Sequence, residues 1–326
     1  MRTTRLGTLF DVSRLTLGGG GLGGGWGENT AEEAVATVRA AVDAGVTLID
    51  TAPMYLDCEA VIASAFAGRL PAGVRITTKC QLGAPPTAET ARRLEASLDA
   101  SLAAMRLERA DIFFLHSNIC EDAYVYARHQ DRRDAFATPW SLYVGEVIPA
   151  MESLEARGRI GAWGITGVGV PATILEALAH DPAPDVVQAI ANLLDSAGGM
   201  RNFAEPAAPR PIIAAAASRG VGVMGIRAVQ AGALTDALDR AVKESHPEAA
   251  DYRRAAPFRE LAAELGVDPA LLAHRYALSM SGVDTVVLGV KNRAELVACV
   301  EAEALGPLDA GVVARIDALG LRTTPA

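Results

Sequence analysis

Residues 45–79 read GVTLIDTAPMYLDCEAVIASAFAGRLPAGVRITTK, and they carry one full turn of the pattern that organises the chain. Gly45 closes an amphipathic run, as glycine does where a helix ends in a left-handed turn. A short apolar segment, TLID, follows, then a polar loop, a helical pattern over 59–67, and a second β-type segment, RITTK. A strand, a helix and a strand in that order imply parallel pairing, with the helix as the crossover.

The same alternation extends in both directions. Strands are expected at 14–17, 47–50, 75–79, 112–115, 161–166, 186–190, 222–226 and 285–289. Between and after them lie helical patterns at 31–44, 59–67, 87–105, 145–157, 171–180, 211–219, 269–279 and 293–303. VVQAI and TVVLG lack the polar alternation of a half-exposed sheet, so both faces should be covered. Asn29 and Thr30 precede Ala31-Glu32-Glu33, a polar cap with early carboxylates. Eight such repeats close into a (β/α)8 TIM barrel more naturally than they form an open sheet. No low-complexity linker divides the chain, so residues 1–326 are read as a single barrel domain. Two stretches, 120–143 and 227–265, exceed a simple connection. Both follow strand C-termini, the face where barrel enzymes build their sites.

Composition narrows the function classes. Half of the residues are hydrophobic, enough for a large core. The formal net charge of −9 and the lack of a basic stripe argue against nucleic-acid or anionic-membrane partners. Cysteines occur at 58, 80, 120 and 299 without CxxC or a nearby His at ligand spacing. Reduced thiols in a cytoplasmic protein and no metal site are therefore expected. The first residues lack the apolar core of a signal peptide, and no run of ~18 apolar residues could span a bilayer.

The most conspicuous motif misleads. Residues 18–25, GGGGLGGG, contain G-x-G-x-x-G twice, with Asp43 downstream. In a dinucleotide-binding βαβ unit the helix opens inside the glycine run and holds the pyrophosphate. Here the long helical pattern starts only after Trp26-Gly27-Glu28-Asn29. The run reads instead as a loop above the first strand where a ligand can approach the backbone closely, with Gly20 and Gly21 as candidate cofactor contacts.

Four polar residues end consecutive strands or lie just beyond them: Asp50 and Tyr55 in D-T-A-P-M-Y, Lys79 in I-T-T-K, and His116 in F-F-L-H. In a parallel barrel these ends share one face. Carbonyl reduction needs a hydride at carbon and a proton at oxygen. A free tyrosine titrates near about 10, and a neighbouring ammonium favours its phenolate. Lys79 could supply that ammonium, with Asp50 fixing its position. Tyr55 would then act as acid in reduction and base in oxidation. His116 could donate a hydrogen bond to the substrate oxygen.

In order and local context, these residues resemble the Asp-Tyr-Lys-His tetrad of the aldo-keto reductase family. The resemblance runs from R-L-G near the N-terminus to V-L-G-V-K-N-R-A-E-L near the C-terminus. It implies a nicotinamide cofactor, NADP(H) in preference to NAD(H), and a small carbonyl or alcohol substrate. It also implies that Thr166 and Gln188 hold the nicotinamide side. Gly167 stands where the family usually has Asn. The segment G-I-R-A-V-Q-A-G-A-L-T resembles the loop over the pyrophosphate, with Arg227, Gly232 and Leu234 as contacts and Arg227-Ala228 replacing the common Ser-Pro. Gly289 turns towards a helix N-terminus suited to an anion. Lys291 resembles the family's cation beside the 2′-phosphate, and Glu295 stands where the family has Gln. Ala298-Cys299 replaces the usual Glu-Asn pair.

Trp26 is a candidate wall of the substrate pocket. Tyr124, Tyr126, Trp140 and Tyr143 suggest an aromatic lid over a polar or aromatic aldehyde or ketone, or a sugar hemiacetal oxidised in reverse. Two other functions use the same residues: a Schiff-base lyase with Lys79 as nucleophile, and a non-catalytic nicotinamide sensor.

Overall fold

The computed structural model describes residues 1–25, 27, 29–238 and 240–323. Its centre is a closed barrel of eight parallel strands: β1 (Leu15–Gly18), β2 (Leu48–Asp50), β3 (Arg75–Cys80), β4 (Ile112–Leu115), β5 (Trp163–Thr166), β6 (Val186–Ile190), β7 (Gly222–Ile226) and β8 (Thr285–Leu288). They pair in sequence order, and β8 closes on β1 with Val287 opposite Thr16. All eight expected strands are present, with ends displaced by no more than about two residues, the usual uncertainty of an element boundary.

Helices return the chain between strands: α1 (Ala31–Asp43), α2 (Cys58–Phe66), α3 (Thr90–Met105), α4 (Ile148–Ala156), α5 (Pro171–Ala179), α6 (Pro209–Ser218) and α7 (Pro269–Ser279), with α8 (Arg293–Ala304) after β8. The Thr30 hydroxyl caps α1 by accepting from Glu33 N, and Asn292 caps α8 by accepting from Glu295 N at 3.0 Å. Valine, leucine and isoleucine side chains from helices and strands form one continuous core.

An antiparallel hairpin, Thr3–Leu6 with Phe10–Ser13, precedes the barrel and has no counterpart among the expected strands. Leu6 and Val12 are fully buried against Leu48, Ile112, Ala162, Val186 and Met224 at the strand beginnings. The hairpin plugs the N-terminal end of the barrel. Four-residue strands are too short to show a period, and only their burial distinguishes them from a tail.

The two long excursions both lie beyond strand C-termini. The first contains Asn118–Cys120 paired in parallel with Ala137–Pro139. It covers a satellite core in which Cys120, Tyr126, Val168, Ile190 and Phe203 meet. The second carries a turn at Gln230–Gly232 and helices Pro247–Arg254 and Ala256–Glu264. Among the described residues, no helix is long and apolar enough to cross a membrane.

Candidate active site

β2, β3 and β4 are adjacent, and their register brings the polar strand ends together. Asp50 lies opposite Thr77 on β3, so Lys79, two residues on, shares that residue's face. Lys79 Nζ donates to Asp50 Oδ2 at 2.7 Å and to the Thr51 carbonyl at 2.9 Å. Both ionic side chains are buried, at 1% and 3% exposure, so each charge requires the other.

Tyr55 stands over this pair. Its N–H donates to Ala52 O at 3.0 Å, and its carbonyl accepts from Cys58 N at 3.2 Å. Leu56 turns the chain immediately afterwards with φ at 52°. Lys79 Nζ lies 4.5 Å from the Tyr55 ring centroid, and His116 meets that ring edge-on at 5.9 Å.

Burial pushes the Tyr55 phenol up, and Lys79 pulls it back without overcoming burial, so it titrates above the usual tyrosine range. Lys79 acts on the phenol in the expected direction, but the net shift is upward because burial outweighs the ammonium. Burial depresses the Lys79 ammonium, yet Asp50 and Tyr55 together hold it above the ordinary lysine value. A lysine kept charged in this way is a poor Schiff-base nucleophile. Burial, then the Lys79 charge, pushes His116 down to about 3, so its ring is neutral. His116 Nδ1 is buried and has no partner. A neutral imidazole has one N–H to donate, which suits a group that orients a carbonyl.

The glycine run forms one short helical turn, Gly19–Leu22, directly after β1. It is close-packed. A Cβ at Gly19 would strike the Cys58 sulfur and crowd the Tyr55 ring, and one at Gly23 would strike the Tyr55 carbonyl. Gly21 abuts the Val290 carbonyl, whereas Gly20 is half-exposed. These glycines make room for Tyr55 and for the loop after β8. Asn29 Nδ2 donates to Lys291 O at 2.6 Å and joins the loops after β1 and β8. Trp26 lies outside the described residues.

Thr166 and Gln188 face each other in the β5–β6 register. Gln188 reaches across to the tetrad, where its Nε2 donates to Asp50 Oδ1 at 2.6 Å. Thr77 Oγ1 donates to the same oxygen at 2.6 Å. Neither bond was anticipated. Thr77 could have been found from its place two residues before Lys79 on one strand face.

Arg227, the expected phosphate contact, lies in an ion pair. It is buried, its Nη2 meets Glu248 Oε1 at 2.9 Å, and its Nε meets Gln230 Oε1 at 2.9 Å. Burial lowers its pKa, and Glu248 opposes that fall. Asn192 bonds Gln230, and Gln230 and Ser196 both donate to Asp251. This network ties the loops after β6 and β7 to the helix Pro247–Arg254. Leu234 is buried, and the Gly232 and Leu234 amides both donate to Val229 O.

Gly289 is exposed after β8. Lys291 lies near the start of α8, where its Nζ pairs with Glu295 Oε1 at 3.2 Å and its amide donates to Glu295 Oε2 at 2.8 Å. Arg293 pairs with Glu33 at 2.9 Å.

The four aromatics expected to form a lid divide into two groups. Tyr124 and Tyr126 belong to the excursion, where the Tyr124 hydroxyl donates to Glu205 and that of Tyr126 donates to Asn118. Trp140 and Tyr143 stack at 5.5 Å against the main core, Trp140 also edges onto His180, and Tyr143 is fully buried. These two therefore anchor the excursion. All four cysteines are buried and unpaired.

Comparison with known proteins identifies the family. The aldo/keto reductase family model matches residues 14–320. L-galactose dehydrogenase from Arabidopsis thaliana is 25% identical over 321 residues, covering 96% of this chain and 92% of that protein. The holo form of aldo-keto reductase AKR11C1 from Bacillus halodurans superposes with a TM-score of 0.73 at 21% identity, covering 98% of this chain and 96% of that one. Glycerol dehydrogenase AKR11B4 from Gluconobacter oxydans gives 0.69 at 20% identity, covering 97% and 94%. Since the family match spans both the barrel and the strand ends that carry the ionic cluster, the chain belongs to the aldo/keto reductase family and is a nicotinamide-dependent oxidoreductase.

Proposed function

We propose that the protein interconverts a small carbonyl and its alcohol, with Tyr55 as the general acid in reduction and the general base in oxidation. The observation that carries this reading is the buried Lys79–Asp50 pair beneath the Tyr55 ring, with neutral His116 at its edge. Lys79 stays charged and favours the phenolate as the proton leaves. Asp50 keeps the ammonium in place. His116 directs its N–H towards the substrate oxygen and orients the carbonyl.

The groups on β5 and β6 suit a nicotinamide. The atom that Gln188 turns to Asp50 must be its NH2, because a carboxylate only accepts, so its carbonyl oxygen remains available to an amide donor. A nicotinamide held there by Thr166 and Gln188 would supply the hydride. Lys291 supports NADP(H) over NAD(H), while its ion pair with Glu295 limits the margin. Both cofactors should turn over.

The substrate is a polar or aromatic aldehyde or ketone, or a sugar hemiacetal oxidised at its anomeric carbon. The Arabidopsis relative, named as a dehydrogenase of L-galactose, favours the sugar. Residues 1–326 act as one barrel domain on a small molecule.

The test follows NADPH, NADH and their oxidised forms against a carbonyl and sugar panel, in both directions. Tyr55→Phe should keep cofactor affinity and lose at least about 100-fold in rate, the lower range for a general acid–base group. Because Tyr55 titrates high, oxidation should rise into the alkaline range as phenolate forms, and reduction should fall there. A Tyr55→Phe enzyme with wild-type turnover, or activity confined to long aliphatic ketones, would refute the mechanism or the substrate class respectively.

A further inference from the structure

Asp50 carries more hydrogen bonds than its ion pair needs. Oδ2 meets Lys79 Nζ, while Oδ1 accepts from both Thr77 Oγ1 and Gln188 Nε2 at 2.6 Å. These donors come from the neighbouring strand β3 and from β6, four places away around the eight-strand barrel. Gln188 therefore spans the barrel interior. All four side chains are buried. A buried amide and a buried hydroxyl are costly to keep unless their hydrogen bonds are used. Hydrogen bonds to an ionised acceptor are the stronger kind.

We propose that Thr77 and Gln188 are positioning residues for the Tyr55 proton donor, acting through Asp50. Their two donors fix which carboxylate oxygen meets Lys79 and draw charge away from the side of Asp50 that opposes the ammonium. The proposal rests on the reading of Tyr55 as the acid–base group.

The sign follows from what faces the phenol. Lys79, Asp50, Cys58 and His116 are the titratable neighbours of Tyr55. Burial pushes His116 down to about 3, so it is uncharged where the phenol titrates, and pushes the Cys58 thiol up to about 12, where its thiolate adds to the upward push on Tyr55. Apart from that thiolate, the local field is a contest between Lys79, which lowers the phenol, and Asp50, which raises it. Donors on Oδ1 weaken the Asp50 contribution. Removing one lets that contribution grow, and Tyr55 should then hold its proton to higher pH.

The experiment is a near-ultraviolet phenolate titration of the full chain. Subtracting Tyr55→Phe isolates the Tyr55 signal from those of the other tyrosines. Thr77→Val removes a donor at nearly constant shape, Thr77→Ser restores it, and Gln188→Met removes the other. Thr77→Val and Gln188→Met should each raise the Tyr55 midpoint by about half a pH unit or more, and Thr77→Ser should return it towards wild type. The alkaline rise of kcat/KM for alcohol oxidation should move by the same amount. If Thr77→Val fails to fold, Gln188→Met carries the test. A midpoint that stays fixed or falls in a folded variant overturns the proposal while leaving the role of Tyr55 intact. Full turnover by Tyr55→Phe instead overturns the reading beneath it.

Discussion

Two buried ion pairs lie among the loops and strand ends at the C-terminal side of the barrel: Lys79–Asp50 at 2.7 Å and Arg227–Glu248 at 2.9 Å. Their neighbours separate them. Lys79 lies under an aromatic ring, and Asp50 and Tyr55 hold its charge above the ordinary value. Its field reaches a group that can change protonation. Arg227 is enclosed by Glu248 and Gln230, and burial lowers its pKa. The backbone around it is bent as well, with Arg227, Gln230 and Ala231 at φ of 62°, 48° and 51°. Such left-handed non-glycine residues persist where their surroundings over-determine them. One pair lies against the side chain proposed to react, whereas the other joins two loops.

This contrast can be broken experimentally. The largest effect should come from Lys79→Met, which leaves Asp50 without its cation. A loss of about 3–5 kcal/mol in denaturant unfolding is expected, together with near-complete loss of turnover. Adding Asp50→Leu should recover stability but not activity.

Arg227→Met should cost a comparable amount at the outset, again about 3 kcal/mol or more, because Glu248 is left buried. Adding Glu248→Met should recover most of it. The alkaline limb of oxidation should stay where it is, since the leading influences on Tyr55 are burial, Lys79, Asp50 and Cys58. If the limb moves, the two regions are coupled and the division drawn between them is wrong.

The smallest effect concerns cofactor choice. Glu295→Gln removes one ion-pair partner of Lys291 and a negative charge near the start of α8. It should raise the NADPH-over-NADH ratio of kcat/KM about 3- to 10-fold, the scale of one partly exposed charge interaction. An unchanged ratio would remove Lys291 from the 2′-phosphate reading.

The same contrast explains what could be read in advance. Asp50, Tyr55, Lys79 and His116 were legible because each ends a strand or lies just beyond one, and apolar runs mark strand ends. Parallel order then brings them to one face. Gln188 was legible as a strand residue, but its bond to Asp50 was not, since it depends on distance across a closed barrel. The partners of Arg227 were hidden for a similar reason. Glu248 lies on a helix inside an excursion, 21 residues away, and no periodicity links the two. Trp140 and Tyr143 read as a lid because composition marks them as aromatic, whereas only packing shows which aromatics are anchors. The glycine run follows the first strand of a barrel and not of a dinucleotide-binding βαβ unit. Its purpose, space for Tyr55 and Cys58, emerged only from close contacts.

The hairpin at the start of the chain bears on electrostatics at the other end. Leu6 and Val12 pack under the barrel with other apolar side chains, an arrangement that opposes entry of water at the floor. The weak dielectric screening felt by Lys79 and Asp50 is therefore partly a property of residues 3–13, which touch neither. A leak at that floor would hydrate the pair and soften its field at the phenol, with every residue of the rim still in place.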